Sequence, residues 1–508
     1  MKLDLLIKET ELHAVSGPTE WEVRGITVDS RQVRPGYVFV AIPGAQRDGW
    51  EYVEDALARG AWAVVSEREG KTRKRAGGNG EAGGANGSAR PSQVTFVCVA
   101  NARRAAAELA SAFYGYPSER LQVAGVTGTN GKTTIAHMMR DGLRKAGREP
   151  GMLGTVTYEI GARAIPAGRT TPEACELQSM LAQMLSAGCR SAVMEVSSHS
   201  LMQDRTVGID FDVAVFTNLT RDHLDYHETL ENYFEAKSRL FRGLGHGRKK
   251  ASAVVNVDDP WGRRLAVLPG LAADVLTYGM SQEAEVRAER IQLLAGGSSF
   301  AAATPWGRAE VRLRLLGRYN VSNALAAIGG CCRLGVSLDT AVAALAEMVS
   351  VPGRLEMIET GRGFPLFVDY AHTDDALQNV LGTLRELTAQ RLIVVFGCGG
   401  NRDRTKRPIM GRVAARLADY AILTSDNPRK EDPAAILQEV RAGFEAAANF
   451  EIIEDRRQAI RRAIEMGKAG DVILIAGKGH ETYQEFANTT IPFDDRQVAR
   501  EILDGMAG

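Results

Sequence analysis

Residues 122–143 read QVAGVTGTNGKTTIAHMMRDGL: an apolar strand, a Gly-rich turn and a helix opening at Lys132. That succession suits a polyphosphate. Gly128 and Gly131 let the backbone come close, and the amides around Thr129 and Asn130 and the helix N-terminus face the phosphate oxygens. Lys132 reaches the terminal phosphates, and the hydroxyl of Thr133 or Thr134 sits on Mg²⁺. The full P-loop pattern asks for Gly five residues before Gly131, where Val126 stands. The match is therefore to the G-K-[ST] half of the motif. The plainer alternative is a Gly turn ahead of a helix with an exposed lysine. The strand before it and the helix after it favour the nucleotide.

Other residues gather around this turn. CRSAVMEVSSH (189–199) ends a buried strand in Glu195, where a P-loop enzyme needs a carboxylate for its metal. FDVAVFTNLTRDHLDYH (211–227) brings Asn218 and His223 to the same edge. Separately, Glu195 reads as a helix cap and His223 as a packed surface imidazole; with the P-loop they make a Mg²⁺ shell. Lys237, on the amphipathic stretch ETLENYFEAKSRLF (228–241), reads from its spacing as a solvated lysine. Asn320 and Asn323 stand three apart at a helix start, one as a cap and the other against a base edge. In AILTSDNPRKEDP (421–433) a strand ends, Asn427 and Pro428 turn, and Arg429 follows on a tip expected to be open to solvent. A solvated arginine and an anion ligand stand level there.

The elements that position these residues belong to a long chain. Its 508 residues suggest three domains, placed at 1–115, 116–350 and 351–508. In the first, YVFVAI (37–42), AWAVVS (61–66) and VTFVCVA (94–100) read as strands. The Gly-rich 70–92 between them reads as a disordered insertion. The third region repeats an apolar strand, a polar tip and a helix, the pattern of a doubly wound parallel sheet. The fold class expected is α/β, with a central P-loop parallel sheet and a C-terminal Rossmann-like sheet. Functional groups then lie at the carboxyl ends of strands. Lys plus Arg and Asp plus Glu both number 62, which argues against a nucleic-acid partner. Six cysteines without CxxC spacing (Cys98, Cys175, Cys189, Cys331, Cys332, Cys398) read as reduced core thiols. The N-terminus reads as neither signal nor anchor, no membrane insertion is expected, and a cytoplasmic monomer is the expectation.

Taken together, GTNGKTT, MEVSSH, NLTRDHLDYH, YNVSNALAA, PGRLE, VDYAHT, FGCGGNRDRTKRP and AGKGHE resemble the signatures of the Mur ligase family, in the family's order and over nearly the whole chain. The resemblance implies an ATP- and Mg²⁺-dependent amide ligase of bacterial cell-wall precursor synthesis. Its first domain holds the uridine end of a UDP-muramoyl-dipeptide through Val28, Ser30, Ala45, Gln46 and Arg47. Arg169, Thr170, Thr171, Ser197, Gln203 and Arg205 hold the muramoyl-peptide. Arg169 and Ala45 depart from the residues of a relative. Lys237 matches a carbamylated lysine that joins Thr133, Glu195 and His223 around metal, which reverses the solvated reading. Arg354, Asp369 and His372 close on ATP with Asn320 and Asn323. The DNPR segment implies meso-diaminopimelate as the added amino acid. Arg429 takes its distal carboxylate, Asp426 or Asn427 with Glu481 its distal ammonium, and Arg402 the other carboxylate, beside Pro428 and Gly477. Lysine, lacking that carboxylate, is expected to be nearly inert. Two rivals are a folylpolyglutamate synthase of the same architecture and a nucleotide-dependent switch; the long first domain and the set Glu195, His223, Lys237 and GKGHE weigh against them.

Overall fold

The computed structural model describes residues 1–507 apart from 9, 45–46, 73–90, 295 and 445–448. Ala45, Gln46 and most of the expected 70–92 insertion thus lie outside the described residues. Thr72, inside that stretch, is tied to the first sheet, its hydroxyl donating to Val94 O at 2.7 Å.

Three sheets organise the chain. The first runs Leu12–Ser16, Thr95–Val99, Ala63–Ser66, Tyr37–Ala41, Gly25–Thr27, parallel except for its Leu12–Ser16 edge. The second has eleven strands, with Gln122–Thr127 between Val213–Phe216 and Ser191–Glu195. Its middle is parallel, and antiparallel pairs extend both ends, at Thr157–Ile160 and Arg163–Pro166 on one side and Gly297–Thr304 and Gly307–Leu313 on the other. The third has six strands: antiparallel Glu356–Glu359, then parallel Pro365–Asp369, Val472–Ala476, Leu392–Phe396, Tyr420–Leu423 and Phe450–Ile452. The α/β class with parallel central and C-terminal sheets is as expected.

Alternation explains why these strands are apolar almost throughout. Successive side chains point to opposite faces, and both faces are covered by helices. Leu392, Val394 and Phe396 pack into one core and Ile393 and Val395 into another. Ala124 and Val126 of the P-loop strand likewise face one core and Val123 the opposite one. Parallel register sets what emerges at each edge. Glu195 lies level with Val126, and Phe216 with Thr127. Asp369 lies level with Ala476, and Phe396 with Leu423. The strand tips of the second sheet therefore present the P-loop, Glu195 and Asn218 together. Those of the third present Tyr370–His372, Gly397–Arg402, Thr424–Arg429 and Gly477–Glu481. All six cysteines are buried and free.

Candidate active site

The P-loop is held open by its neighbour strand. Thr129 N donates to Asn218 O at 2.8 Å, and Asn130 N to Asn218 Oδ1 at 3.0 Å. Gly128 has φ +148°, and a Cβ there would stand 1.8 Å from Thr217 Oγ1. Gly131 has φ +90°, and a Cβ there would stand 2.5 Å from Asn323 Oδ1. Glycine is required at both points by backbone angle and by space. Helix Lys132–Lys145 starts at the loop's end. Lys132 folds back, its ammonium donating to Gly128 O and Thr129 O at 2.9 and 2.8 Å. Desolvation draws its pKa below the ordinary lysine value.

Glu195 is buried and accepts three hydrogen bonds: from Thr133 Oγ1 at 3.0 Å, Thr155 N at 2.7 Å and Thr155 Oγ1 at 2.9 Å. A Cβ on Gly154 would stand 2.6 Å from its Oε1. These are hard oxygen donors at a phosphate turn, the set that suits Mg²⁺. The cap alternative for Glu195 is not what the structure shows.

Lys237 corrects the solvated reading drawn from its spacing. It is 1% exposed, in helix Leu230–Arg242. Its Nζ donates to Gly128 O at 2.8 Å and lies 4.4 Å from the Tyr233 ring centroid. Burial first, then the Lys132 charge, push its pKa well down. His223 also lies against Tyr233, ring centroids 6.3 Å apart, with Nε2 3.3 Å from Asp222 Oδ2. Burial lowers its pKa to about 3. Of the four residues expected around metal, Thr133 and Glu195 share a direct hydrogen bond, and His223 and Lys237 both neighbour the Tyr233 ring. Among the described residues no three His, Cys, Asp or Glu side chains form one metal cluster.

A cavity of about 230 Å³ adjoins the loop, lined by Asn130, Gly131, Thr133, Thr134, Asn320, Asn323, Arg354 and Asp369 among others. Neither asparagine is the helix cap; Gly317 takes that position. Asn320 Nδ2 donates to Leu316 O at 2.8 Å and Asn323 Nδ2 to Asn320 Oδ1 at 3.0 Å. Arg354 crosses from the third sheet and donates to Thr133 Oγ1 at 3.0 Å, with its guanidinium 4.7 Å from the Tyr370 ring. Asp369 accepts from Leu355 N and Ala371 N, both at 2.7 Å, and burial raises its pKa. Asp375, which sequence reasoning passed over, accepts from Asn130 Nδ2 at 2.7 Å.

His372 is not on this cavity. It lines a second one, of about 740 Å³, with Thr170, Asp222, His223, Arg402, Lys406, Asp426, Asn427, Arg429, Gly477 and Glu481. Here the two sheets' tips face each other. Arg169 and Thr170 line one wall, and behind them Thr171 donates to Glu195 O at 2.9 Å and accepts from Ser197 N. Ser197 itself caps helix Ser198–Met202. Arg205, buried, donates to Thr171 O at 3.0 Å and Gln203 Oε1 at 2.6 Å, and pairs with Glu173, which also holds the exposed Arg169. Val28 and Ser30 follow strand Gly25–Thr27, and the exposed Arg47 donates to Tyr52 Oη at 3.1 Å.

The opposite wall differs most from expectation. Arg429 is not a solvated tip. Its Nε donates to Glu485 Oε2 at 2.9 Å and its NH1 to Gly400 O at 2.8 Å. Asn427 Nδ2 donates to Glu481 Oε2 at 2.9 Å, and the wholly buried Lys478 donates to both, at 3.0 Å to Asn427 Oδ1 and 3.1 Å to Glu481 Oε2. An ammonium thus already sits where a ligand's was expected. Pro428 does not line the cavity, and Arg402 is exposed, donating to Asn401 O. Glu485 and Lys478 were missed. Lys478 lies inside the GKGHE motif, where a lysine beside a glutamate was the available signal; Glu485 had none, its partner being 56 residues away.

The chain matches known proteins over almost its whole length. Residues 126–331 match the Mur ligase middle domain, 353–479 the Mur ligase glutamate ligase domain, and 22–114 the Mur ligase family catalytic domain. The UDP-N-acetylmuramoyl-L-alanyl-D-glutamate–2,6-diaminopimelate ligase of Geobacillus kaustophilus is 47% identical over 94% of each chain. That of Geobacter metallireducens is 42% identical over 98% of this chain and 97% of its own. A solved structure of a ligase with that name is 34% identical, covers 100% of this chain and 99% of its own, and superposes with TM-score 0.68. MurF ligase of Thermotoga maritima in complex with ADP shares the fold, at 20% identity and TM-score 0.64 over 95% of this chain and 97% of its own. Family models cover most of the chain, and relatives 42–47% identical match it over nearly its whole length, so this chain belongs to the Mur ligase family.

Proposed function

We propose that this chain is an ATP-dependent ligase that joins meso-diaminopimelate to the glutamyl γ-carboxylate of UDP-N-acetylmuramoyl-L-alanyl-D-glutamate, forming ADP and phosphate, in peptidoglycan precursor synthesis. The observation that carries it is the cavity of about 740 Å³ where the P-loop sheet's Thr170 and His223 face the third sheet's Arg402, Asn427 and Arg429. Relatives 42–47% identical over nearly their whole length carry that activity in their names. Among the described residues no helix is long and apolar enough to cross a membrane, and the reaction is assigned to the cytoplasm and to a monomer. The units 1–115, 116–350 and 351–508 act as its three domains.

Amide formation from a carboxylate needs a leaving group. The γ-carboxylate oxygen attacks the γ-phosphorus of ATP, the bond to ADP breaks, and an acyl phosphate results. The amine nitrogen of diaminopimelate attacks the acyl carbon, the C–O bond to phosphate breaks, and the nitrogen loses a proton. Lys132 and the amides at the start of helix Lys132–Lys145 stabilise charge on the transferring phosphoryl group. Thr133 and Glu195 would hold Mg²⁺ and His223 with Lys237 as its carbamate would hold a second ion, and the metal would supply charge neutralisation to the phosphates. Carbamate formation consumes a neutral amine, and burial shifts the pKa of Lys237 down, toward that form. Asn320, Asn323, Arg354 and Asp369 hold the nucleotide, and His372 serves the facing cavity. Val28, Ser30 and Arg47 take the uridine end, with Ala45 and Gln46. Arg169, Thr170, Thr171, Ser197, Gln203 and Arg205 hold the muramoyl-peptide. Arg429 takes the distal carboxylate of diaminopimelate. Phosphate release tests this: it must require ATP, the UDP-linked dipeptide and diaminopimelate together. Release with the dipeptide omitted, or driven by a protein partner, would overturn it.

A further inference from the structure

Glu485 stands where a ligand's carboxylate is needed. It lies on the hairpin strand Tyr483–Phe486 and reaches back to Arg429 twice, accepting from the backbone N at 3.0 Å and from Nε at 2.9 Å. Arg429 has φ +53°, and that left-handed turn of the chain points its guanidinium between Glu485 and Gly400 O. A Cβ on Gly399 would stand 2.9 Å from its NH1. Nε and NH1 are thus engaged; among the described residues NH2 makes no hydrogen bond and remains the edge for a ligand. Behind it the buried Lys478 lies 3.1 Å from Glu481 and 3.7 Å from Asp426. At the far end of the cavity Asp426, Glu481 and Arg429 line the wall, with Lys478 and Glu485 bonded to them from behind.

We propose, on the basis of the function above, that Glu485 is a specificity-determining positioning residue: its carboxylate stands in for the substrate's distal carboxylate on Arg429 and relaxes the demand for one. An amino acid ending in an ammonium alone would leave a bare Arg429 unpaired beside a second cation, the arrangement that rejects analogues most strongly. With Glu485 in place Arg429 keeps an anion whether or not the ligand supplies one, and the negative charge that Glu485 adds favours a terminal ammonium. A zwitterionic distal centre, by contrast, must share Arg429 with Glu485 and approach an extra anion. Glu485 thus works against diaminopimelate and in favour of lysine, the reverse of the near-total exclusion of lysine that Arg429 alone implies.

Glu485→Gln keeps the shape and an acceptor for Nε but removes the charge. The side chain is 40% exposed on a two-stranded surface hairpin, so folding is not at stake. The measurement is kcat/KM for meso-diaminopimelate and for L-lysine, with ATP and the UDP-linked dipeptide saturating, in the wild type, Glu485→Gln and Glu485→Ala. Where lysine turnover is too slow to follow, its inhibition constant against diaminopimelate replaces it. The expected result is at least a tenfold rise in the diaminopimelate-to-lysine ratio in both variants. It comes from a lower KM for diaminopimelate and a higher one for lysine, with KM for ATP unchanged. A ratio that stays put or falls overturns the proposal, as does an equal loss for both amino acids with KM for ATP also raised, the mark of a merely structural role. A wild type that uses neither amino acid strikes down the proposed function first, and this proposal with it.

Discussion

The pair Arg456–Asp495 holds the amino-acid wall together, and its removal has a calculable cost. Both side chains are 0% exposed. Arg456 donates Nε and NH2 to the two carboxylate oxygens at 2.7 Å each, and also to Ala476 O at 3.0 Å and Ser425 O at 3.4 Å. Those carbonyls lie at the ends of the two strands that continue into Asp426–Arg429 and Gly477–Glu481. Arg456→Met leaves Asp495 charged, buried and alone, a change that costs about 3–5 kcal/mol. Arg456→Met with Asp495→Leu removes the stranded charge, leaving mainly a carbonyl without its donor, at about 1–3 kcal/mol. Ser425 O keeps Gln484 Nε2 at 3.4 Å. The double variant should therefore be more stable than the single one by about 2 kcal/mol. Tryptophan fluorescence is the wrong probe: all five tryptophans, the last being Trp306, precede the third sheet. A chain with three sheets also need not unfold in one step. Amide hydrogen exchange localised to 420–429 and 472–486 reads the opening free energy where the pair acts. Both variants should raise KM for the amino acid more than KM for ATP. A loss below about 1 kcal/mol in Arg456→Met, or a double variant no better than the single, would refute the claim that an ion pair ties these tips together.

Lys132→Ala and Glu195→Gln should each lower turnover by about 10²–10³ or more while circular dichroism stays native, since both act on phosphate charge rather than in the core; near-normal turnover in Lys132→Ala would dismiss the phosphate site. Lys237→Ala should lose most activity and regain part of it with a small added carboxylic acid; absence of recovery, with unmodified mass at Lys237 in the wild type, removes the carbamate. Arg429→Ala should raise KM for diaminopimelate roughly 10–150-fold, the equivalent of about 1.5–3 kcal/mol for a hydrogen bond to a charged group, and leave KM for ATP alone. Burial lowers the pKa of His227 from 6.5 to about 4, so between those values the unfolded chain binds more protons than the folded one. Stability then rises with pH across that window and falls as pH drops through it. His227→Gln should flatten the fall in denaturation midpoint between pH 6.5 and 4; an unchanged slope would clear this imidazole of the effect.

What the sequence revealed and concealed follows from how far each feature reaches along the chain. Lys132, Thr133 and Glu195 were legible because each lies at a fixed offset from the end of an apolar strand, and parallel register does the rest. The parallel middle of the second sheet was legible for the same reason. Its antiparallel ends were not, since strands such as Arg163–Pro166 are exposed throughout and carry no apolar run. Lys237 was misjudged from spacing because the oxygen that receives its ammonium-end nitrogen, Gly128 O, lies 109 residues earlier in the chain. The Arg429 tip was taken for solvent because the hairpin that covers it begins 54 positions later, at Tyr483. Strand order brings Thr133, Glu195, His223 and Lys237 toward one edge, but it does not say which of them touch: Thr133 bonds Glu195 directly, while His223 and Lys237 both lie against Tyr233.

One regularity among the site's cations ties these observations to function. Lys132 is held by Gly128 O and Thr129 O, and Lys406 by His372 O, while Arg354 rests on a hydroxyl. Among the described residues none of the three has a carboxylate partner within ion-pair distance, so each is held in place by neutral oxygens. A hydrogen bond to a neutral group contributes about 0.5–1.5 kcal/mol net, and one to a charged group about 1.5–3 kcal/mol. An arriving phosphate or carboxylate therefore displaces these contacts at a gain, and the cations are aimed before it arrives. Carboxylates in their place would have to be outcompeted at every turnover. Arg429 breaks the pattern, because one of its two side-chain contacts is to a carboxylate, Glu485. The wall that selects the amino acid is thus the one place among these cations where the incoming anion meets a rival already seated, and the strength of that rival sets how much of the choice Arg429 makes.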